Sequence, residues 1–401
     1  MEVVILAAGQ GTRMRPLTDA VAKPMLPVGD RPLCAHTADA AVRAGADELV
    51  FVVGYRAEDV REHFGDEYRG VPVQYVEQAE RLGTAHAAAQ ARPHLDEDFV
   101  VLNGDDLYDA AALNALFDAC PAVGAYEVDD PRPYGVFSIA DDRVTDVVEK
   151  PADPPSDRVN VGAYHFPAAA AEWLTETELS ERGEHEITDV LARVVDAFDV
   201  TVVPIERWLG VGRPWELLAA NEWKLGELER RIEGDVRGDA DLRGPVVVEA
   251  SATVEPGVVI EGPALLREGA EVGPNAYVRG ATLLGPDTKV GHGVEVKNTV
   301  VMAGTNVPHV SYVGDSVLGP DANLGAGTQV ANLRHDGGDV ETVVKGDRTT
   351  TGRRKFGTVV GPGAKTGINT SLYPGSVLPT DGRTRPGESY RGPESSSSDG
   401  T

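Results

Sequence analysis

Two periodicities divide the chain. From Met1 to about Ile232, short β-rich apolar runs alternate with amphipathic stretches. Val3–Leu6, Leu49–Val53, Val73–Val76 and Phe99–Leu102 read as strands, while Leu33–Ala44 and Ala85–Ala91 read as helices. This alternation predicts an α/β layer, Rossmann-like, with a mostly parallel sheet. Trp215–Ile232 reads as a closing helix, with Leu218, Leu225, Leu228 and Ile232 on one face. The polar, Gly-containing stretch after it, 233–245, reads as a linker.

Beyond the linker the rule changes. Steps of six from Val248 land on Val254, Ile260, Leu266, Val272, Val278, Leu284, Val290, Val296 and Met302, ten apolar positions in succession. A helix repeats at 3.6 residues and a simple strand at two, so neither accounts for a strict six. A left-handed parallel β-helix of hexapeptide repeats does, with one aliphatic plug per short strand and a turn at each corner. A sandwich of evenly spaced strands would slip register. Pro308 breaks the phase, and the step resumes at Tyr312, Leu318, Leu324 and Val330. The excursion Ala331–Lys355 follows before Val360, Thr366, Leu372 and Leu378. These observations give an α/β domain over 1–232, a β-helix over 246–392 and a Ser-rich, low-complexity tail over 393–401, expected to be disordered.

Charge narrows the function classes. Asp and Glu total 64 against 37 Lys and Arg, a net −27. The acids are scattered and only eight residues are Lys, a pattern that fits a surface adapted to high salt and argues against nucleic-acid binding through a basic face. No apolar run reaches the ~18 residues of a membrane span. The opening Met1-Glu2 leads straight into a strand with no basic leader, so a cytoplasmic protein with no membrane partner is expected. Cys34 and Cys120 are too few for a disulfide framework or a zinc site and read as core thiols.

The first strand runs into Ala7-Ala8-Gly9-Gln10-Gly11-Thr12-Arg13, with Lys23-Pro24 just beyond. A Gly-rich turn after a strand lets backbone N–H groups approach phosphate oxygens. Met14 leaves the dinucleotide fingerprint incomplete, and the Gly-Lys-Ser/Thr of a P-loop is absent. Two cations beside such a cradle suit the charge of a transferring phosphoryl group and departing pyrophosphate.

With Leu6-Ala7-Ala8-Gly9-x-Gly11-Thr12-Arg13-x-x-Pro16-Leu17-Thr18 and Lys23-Pro24-Met25-Leu26-Pro27-Val28, the chain resembles the sugar-1-phosphate nucleotidylyltransferases. Gln78, Leu82-Gly83-Thr84-Ala85, Gly104-Asp105, Tyr134-Gly135-Val136, Glu149-Lys150-Pro151 and Asn160-Val161-Gly162 extend the resemblance over 1–232. It implies that Arg13 and Lys23 act on the triphosphate of UTP or dTTP, with Ala8, Gly9, Gly11, Gln78, Gly83 and Thr84 around the nucleotide. Gly135, Glu149, Lys150 and Asn160 would line the sugar 1-phosphate, and Asp105 would bind Mg²⁺, with Asp106 the solvated neighbour. The family's Trp-x-Asp-x-Gly is here Trp208-Leu209-Gly210-Val211-Gly212, so a second metal carboxylate is missing.

The segment Val307–Ser316, then Asn323–Thr328 and Ala331–Arg334, resembles the acetyltransferase half of archaeal bifunctional enzymes that acetylate glucosamine 1-phosphate and uridylylate the product. That resemblance implies acetyl-CoA as co-substrate and His309 as the base for amine attack. Arg279, Lys297, Tyr312, Asn323, Asn332 and Lys345 would hold the amino-sugar phosphate, in a homotrimer built through the β-helix. A nucleotidyl transferase with a purely structural β-helix, or a non-catalytic regulatory homologue, remains open at this point.

The diffuse negative charge carries its own expectation. Salt screens self-repulsion between exposed charges, so thermal unfolding across a KCl series should give a melting temperature that rises with salt. A melting temperature independent of KCl would remove the high-salt reading.

Overall fold

The computed structural model describes residues 1–392; the tail expected at 393–401 lies outside the described residues. The chain packs as two compact units. The first comprises Met1–Gln10, Ala22–Leu26 and Pro32–Gly210; the second comprises Gly11–Val21, Pro27–Arg31 and the chain from Val211 onward.

The first unit is built on one ten-stranded sheet. From one edge it runs Gly135–Ala140, Arg143–Glu149, Thr201–Pro204, Ala122–Glu127 and Arg158–Phe166. It continues through Phe99–Asn103, Glu2–Leu6, Glu48–Val53 and Val71–Glu77 to the short Glu67–Tyr68. Glu2–Leu6 lies parallel between Glu48–Val53 and Phe99–Asn103, and Val71–Glu77 is parallel to Glu48–Val53. These strands are Val-, Ile- and Leu-rich because both sheet faces are covered: Val3, Val4, Ile5 and Leu49–Val53 are wholly buried. The expected parallel sheet is therefore this half. The other half is largely antiparallel, with Arg158–Phe166 antiparallel to both Phe99–Asn103 and Ala122–Glu127. Gly135–Ala140 and Arg143–Glu149 form a hairpin there, which the βα alternation does not announce.

Strand order places a site. The chain moves outward from Glu2–Leu6 to Glu48–Val53 and Val71–Glu77, then crosses back to Phe99–Asn103 on the opposite side. Ligands in open α/β sheets bind at such a reversal, outside the carboxyl ends of the strands. Two glycines tighten it: a β-carbon on Gly104 would stand 2.8 Å from the Leu6 carbonyl oxygen, and one on Gly54 would stand 2.9 Å from that of Ala8.

In the second unit, the helix Pro214–Gly226 holds the segment at Gly29. Asn221 accepts from the Gly29 N–H at 2.8 Å and donates to the Pro27 carbonyl at 3.1 Å. The helix ends at Gly226, short of the expected Ile232, which instead lies in the strand Arg231–Ile232. That strand pairs with Val246–Val248, Asp235–Val236 pairs with Thr253–Val254, and Asp241–Arg243 pairs with Val259–Glu261. The stretch 233–245, expected as a linker, is thus the first coil of the solenoid. Its plugs, Val236 and Leu242, continue the six-step backward from Val248 but sit among charged neighbours that mask them.

The solenoid is a parallel β-helix of three ladders, as the hexapeptide pattern predicts. Val248 pairs with Leu266 and Leu266 with Leu284, so each coil advances 18 residues, three sixes. The next two coils are each one residue shorter: Leu284 pairs with Val301, and Val301 with Leu318. The phase therefore slips before Met302 rather than at Pro308. Val301, Val307 and Val313 are the core plugs, not Met302 and Tyr312. The excursion carries an antiparallel hairpin, Glu341–Val344 with Asp347–Thr350, which seats back on the solenoid through Thr342 Oγ1 and the Gly375 carbonyl, 2.8 Å apart. Cys34 is buried as expected, but Cys120 is exposed, because it lies in the connection between the helix Ala110–Phe117 and the strand Ala122–Glu127 rather than inside either element.

Candidate functional site

At the sheet reversal, Ala8 is buried and Gly9 opens into space in which a β-carbon would meet nothing within 4 Å. Across the reversal, Asp105 follows the strand Phe99–Asn103 and forms an ion pair with Lys23 Nζ. Lys23 itself is 9% exposed, and a buried ammonium of this kind needs a carboxylate partner.

The structure corrects the place of Asp106. It is not solvated but 5% exposed. Asn103 Nδ2 donates to its Oδ2 at 3.0 Å; the Tyr108 hydroxyl lies 3.4 Å from the same oxygen but closer to the Val161 and Gly162 carbonyls, at 3.0 and 3.1 Å. Burial, then the charge of Asp105, pushes its pKa well above the ordinary carboxylate range. Adjacent acids at a strand end look alike in sequence; the turn decides which one is buried.

Gln78, 7% exposed, follows Val71–Glu77 and donates to the Gly83 carbonyl at 3.1 Å, with His86 Nδ1 also at 3.1 Å. Gly83 has φ +117, and a β-carbon there would run into the backbone of His185. Thr84 opens the following helix, and its Oγ1 accepts from the Ile187 N–H at 3.0 Å. Gln78, Gly83 and Thr84 are therefore one hydrogen-bonded corner. Arg13 belongs to the other unit, exposed in the turn Thr12–Met14 that follows Gly11 at φ 63.

The expected sugar-phosphate residues converge. Gly135 and Glu149 are opposed on an antiparallel pair. A β-carbon on Gly135 would stand 3.0 Å from Glu149 Oε2, 3.3 Å from Thr188 Cγ2 and 3.4 Å from Asn160 Cβ. The glycine leaves a hollow floored by those three side chains. Asn160 Nδ2 donates to the Tyr164 hydroxyl at 2.7 Å, which fixes the amide. Lys150, at φ 46, reaches Glu149 at 3.1 Å, and Arg182 reaches the same carboxylate at 3.4 Å. Thr188 and Arg182 escaped the sequence reading. Thr188 Oγ1 is buried with no hydrogen-bond partner among the described residues, yet in sequence it is only a polar residue in a helix's first turn.

On the β-helix the candidates divide between faces. Arg279, Lys297 and Gly314 stand in register on neighbouring strands. Gly314 leaves room for Tyr312 and Asn332, whose amide donates to the Tyr312 hydroxyl at 3.1 Å and also to Asp315. Burial, then the charge of Asp315, raises the Tyr312 pKa. Both cations already have carboxylates: Arg279 pairs with Glu295 and Lys297 with the buried Asp315, each at 2.7 Å. His309 ends the strand Asn306–His309 on the next face, exposed, and Asn323 bridges to Asn306 on that same ladder. Lys345 is not brought to either group by any hydrogen bond among the described residues. It forms, with Gly346, the two-residue hairpin turn that needs φ above zero at both positions.

The first unit's sheet, with the Gly9 turn and the Lys23–Asp105 pair at its reversal, has the arrangement of a nucleotidyl transferase, and the family model described as "Nucleotidyl transferase" matches residues 2–225. A second model, "GMPPB C-terminal domain", matches 260–381 on the solenoid. The chain is 36% identical over 94% of its length to "Bifunctional protein GlmU" of Methanocaldococcus jannaschii, covering 91% of that protein. It is 33% identical over 96% of its length to "Bifunctional sugar-1-phosphate nucleotidylyltransferase/acetyltransferase" of Sulfurisphaera tokodaii, covering 96% of it. A solved UDP-glucose pyrophosphorylase with UDP-glucose superposes with TM-score 0.51 at 25% identity, over 55% of this chain and 96% of that one. The chain belongs to the nucleotidyl transferase family, and within it to the bifunctional GlmU-type proteins. Among the described residues no helix is long and apolar enough to cross a membrane.

Gly83 gives a direct check on the Gln78 corner. An added methyl at φ +117 meets backbone rather than a yielding side chain, so Gly83→Ala should destabilise the fold by at least ~1–3 kcal/mol. Urea unfolding measures it, and wild-type stability would show that the corner opens freely.

Proposed function

We propose that the chain transfers a nucleotidyl group from UTP or dTTP to a sugar 1-phosphate, with N-acetylglucosamine 1-phosphate the acceptor, and acetylates glucosamine 1-phosphate from acetyl-CoA on the β-helix. The observation that carries the first activity is the buried Lys23 paired with the half-buried Asp105 at the sheet reversal, beside the Gly9 turn. In the transfer, a phosphate oxygen of the sugar forms a bond to the α-phosphorus as the bond to pyrophosphate breaks. Lys23, and Arg13 by its place in the motif, stabilise charge on the oxygens in flight. The Gly135 hollow, with Glu149, Asn160 and Thr188, receives the sugar, and the Gln78–Gly83 corner receives the base.

The reaction implies a divalent cation. Asp105 fits one: its oxygens already attract an ammonium, and hard oxygen donors are what Mg²⁺ takes. When bound, the ion supplies charge neutralisation at the phosphate under attack.

For acetyl transfer, His309 accepts a proton from the amine as nitrogen attacks the thioester carbonyl and the CoA thiolate leaves. Tyr312 and Asn332 orient the amino sugar beside Lys297. Val310, Leu333, Ile368 and Tyr373 are apolar and exposed on this unit, which supports a homotrimer whose neighbouring subunits bring the two faces together. A second reading, in which the β-helix only assembles the protein, is favoured by the carboxylates already on Arg279 and Lys297.

Arg13→Ala and Lys23→Ala should each lower pyrophosphate release by at least ~10²-fold and leave acetyl-CoA consumption near wild type; unchanged release in both would overturn the site.

His309→Ala should cost roughly 10²–10⁴ in acetyl transfer and spare nucleotidyl transfer. Wild-type protein that never consumes acetyl-CoA with glucosamine 1-phosphate would favour the assembly reading. An active wild type matched by the His309 variant would place the base elsewhere.

A further inference from the structure

We propose that Asp106 joins Asp105 in holding the divalent cation, its carboxylate standing in for the one absent at Gly210; this rests on the nucleotidyl-transfer reading above. Residues 106 and 210 face each other across the antiparallel pair Asp106–Tyr108 and Trp208–Gly210, where Gly210 is opposed to Asp106. Directly opposed residues project to the same side with β-carbons about 4.5–5.5 Å apart. A carboxylate on either strand therefore reaches nearly the same point.

The space at that point is already taken. A β-carbon on Gly210 would lie 3.0 Å from Asp106 Oδ1 and 3.2 Å from Trp208 Cζ2. Glycine at 210 and an acid at 106 are thus one arrangement: the missing side chain makes the room that Asp106 fills. The carboxylate is also oriented. Asn103 Nδ2 at 3.0 Å holds Oδ2, and Oδ1 is the oxygen turned toward position 210.

A carboxylate 5% exposed is costly unless a cation meets its charge. The nearby Lys23 ammonium is committed to Asp105. A divalent ion shared by the two acids answers both charges, with its remaining oxygen ligands drawn from triphosphate and water. The same geometry makes Gly210→Asp alone unfavourable, since it drives a second carboxylate into the first.

Mn²⁺ is the probe, titrated into the full chain while electron paramagnetic resonance follows the free ion. Asp106→Asn, which keeps the shape and removes the charge, should raise the Mn²⁺ Kd by about 10-fold or more, the scale of losing one group around a metal. The exchange variant Asp106→Ser/Gly210→Asp should recover most of that loss. Equal Kd in wild type and Asp106→Asn overturns the proposal, as does a wild type that binds no Mn²⁺. Loss in Asp106→Asn with no recovery in a folded exchange variant also overturns it. If the exchange variant does not fold, the Asp106→Asn comparison decides. A wild type that binds Mn²⁺ through Asp106 yet releases no pyrophosphate from any sugar 1-phosphate would remove the nucleotidyl-transfer reading and leave the cation site.

Discussion

Parallel strand pairing is the constraint on which both units depend. Two parallel strands cannot be joined by a tight turn, so the chain must leave the sheet after each strand and return to its start. In the first unit it returns through helices, and every carboxyl end then opens on one edge. Gly9, Gln78 and Asp105 all follow parallel strands at that edge. In the second unit it returns through two further short strands, so residues 18 apart stack and any side chain repeated at that spacing becomes a row. The site in one unit is a crevice between strand ends, and the candidates in the other are rungs on a face.

That difference explains what was legible. The solenoid interior admits one aliphatic side chain per face per coil, which writes a legible period of six from Val248 onward; the same period runs back through Leu242 and Val236, where charged neighbours hide it. A single residue deleted between Val296 and Val301 shifts the phase without breaking the core, because Val301 and Met302 are both apolar. Counting alone kept Met302; only pairing reveals the slip. The antiparallel half of the large sheet was not legible for the opposite reason. Its strands, such as Arg143–Glu149, are half-exposed and carry charge, so they lack the continuous apolar run of a buried parallel strand.

Site residues divide along the same line. Glycines that permit close approach, Gly83 and Gly135, were visible as motif letters, and the structure supplies their reason in the His185 backbone and the Glu149 side chain. Side-chain direction was not visible. Lys150 and Lys345 both occupy left-handed backbone, one beside the Glu149 hollow and one at the tip of a hairpin, and nothing in their sequence neighbourhoods separates the two. Asp105 and Asp106 make the same point at one-residue distance.

Buried charge is handled alike in both units, and this bears on how the sites are kept ready. Lys23 with the half-buried Asp105, and Lys297 with the buried Asp315, each set an ammonium largely withdrawn from water against a carboxylate. Such a pair gains little stability over an apolar one, because desolvation offsets the attraction, but removing one partner leaves a stranded charge. The arrangement therefore holds a lysine extended and in place before any anion arrives. A phosphate that recruits the lysine must come with something that satisfies the carboxylate. On the proposed reaction, a divalent ion accompanying the triphosphate would do this for Asp105. For Asp315 the amide of Asn332 already shares the load, together with Asn298 Nδ2 at 3.0 Å. On the same proposal, Lys297 would meet a sugar phosphate with no metal, so that the same kind of pair would serve phosphate esters by different electrostatics in the two units.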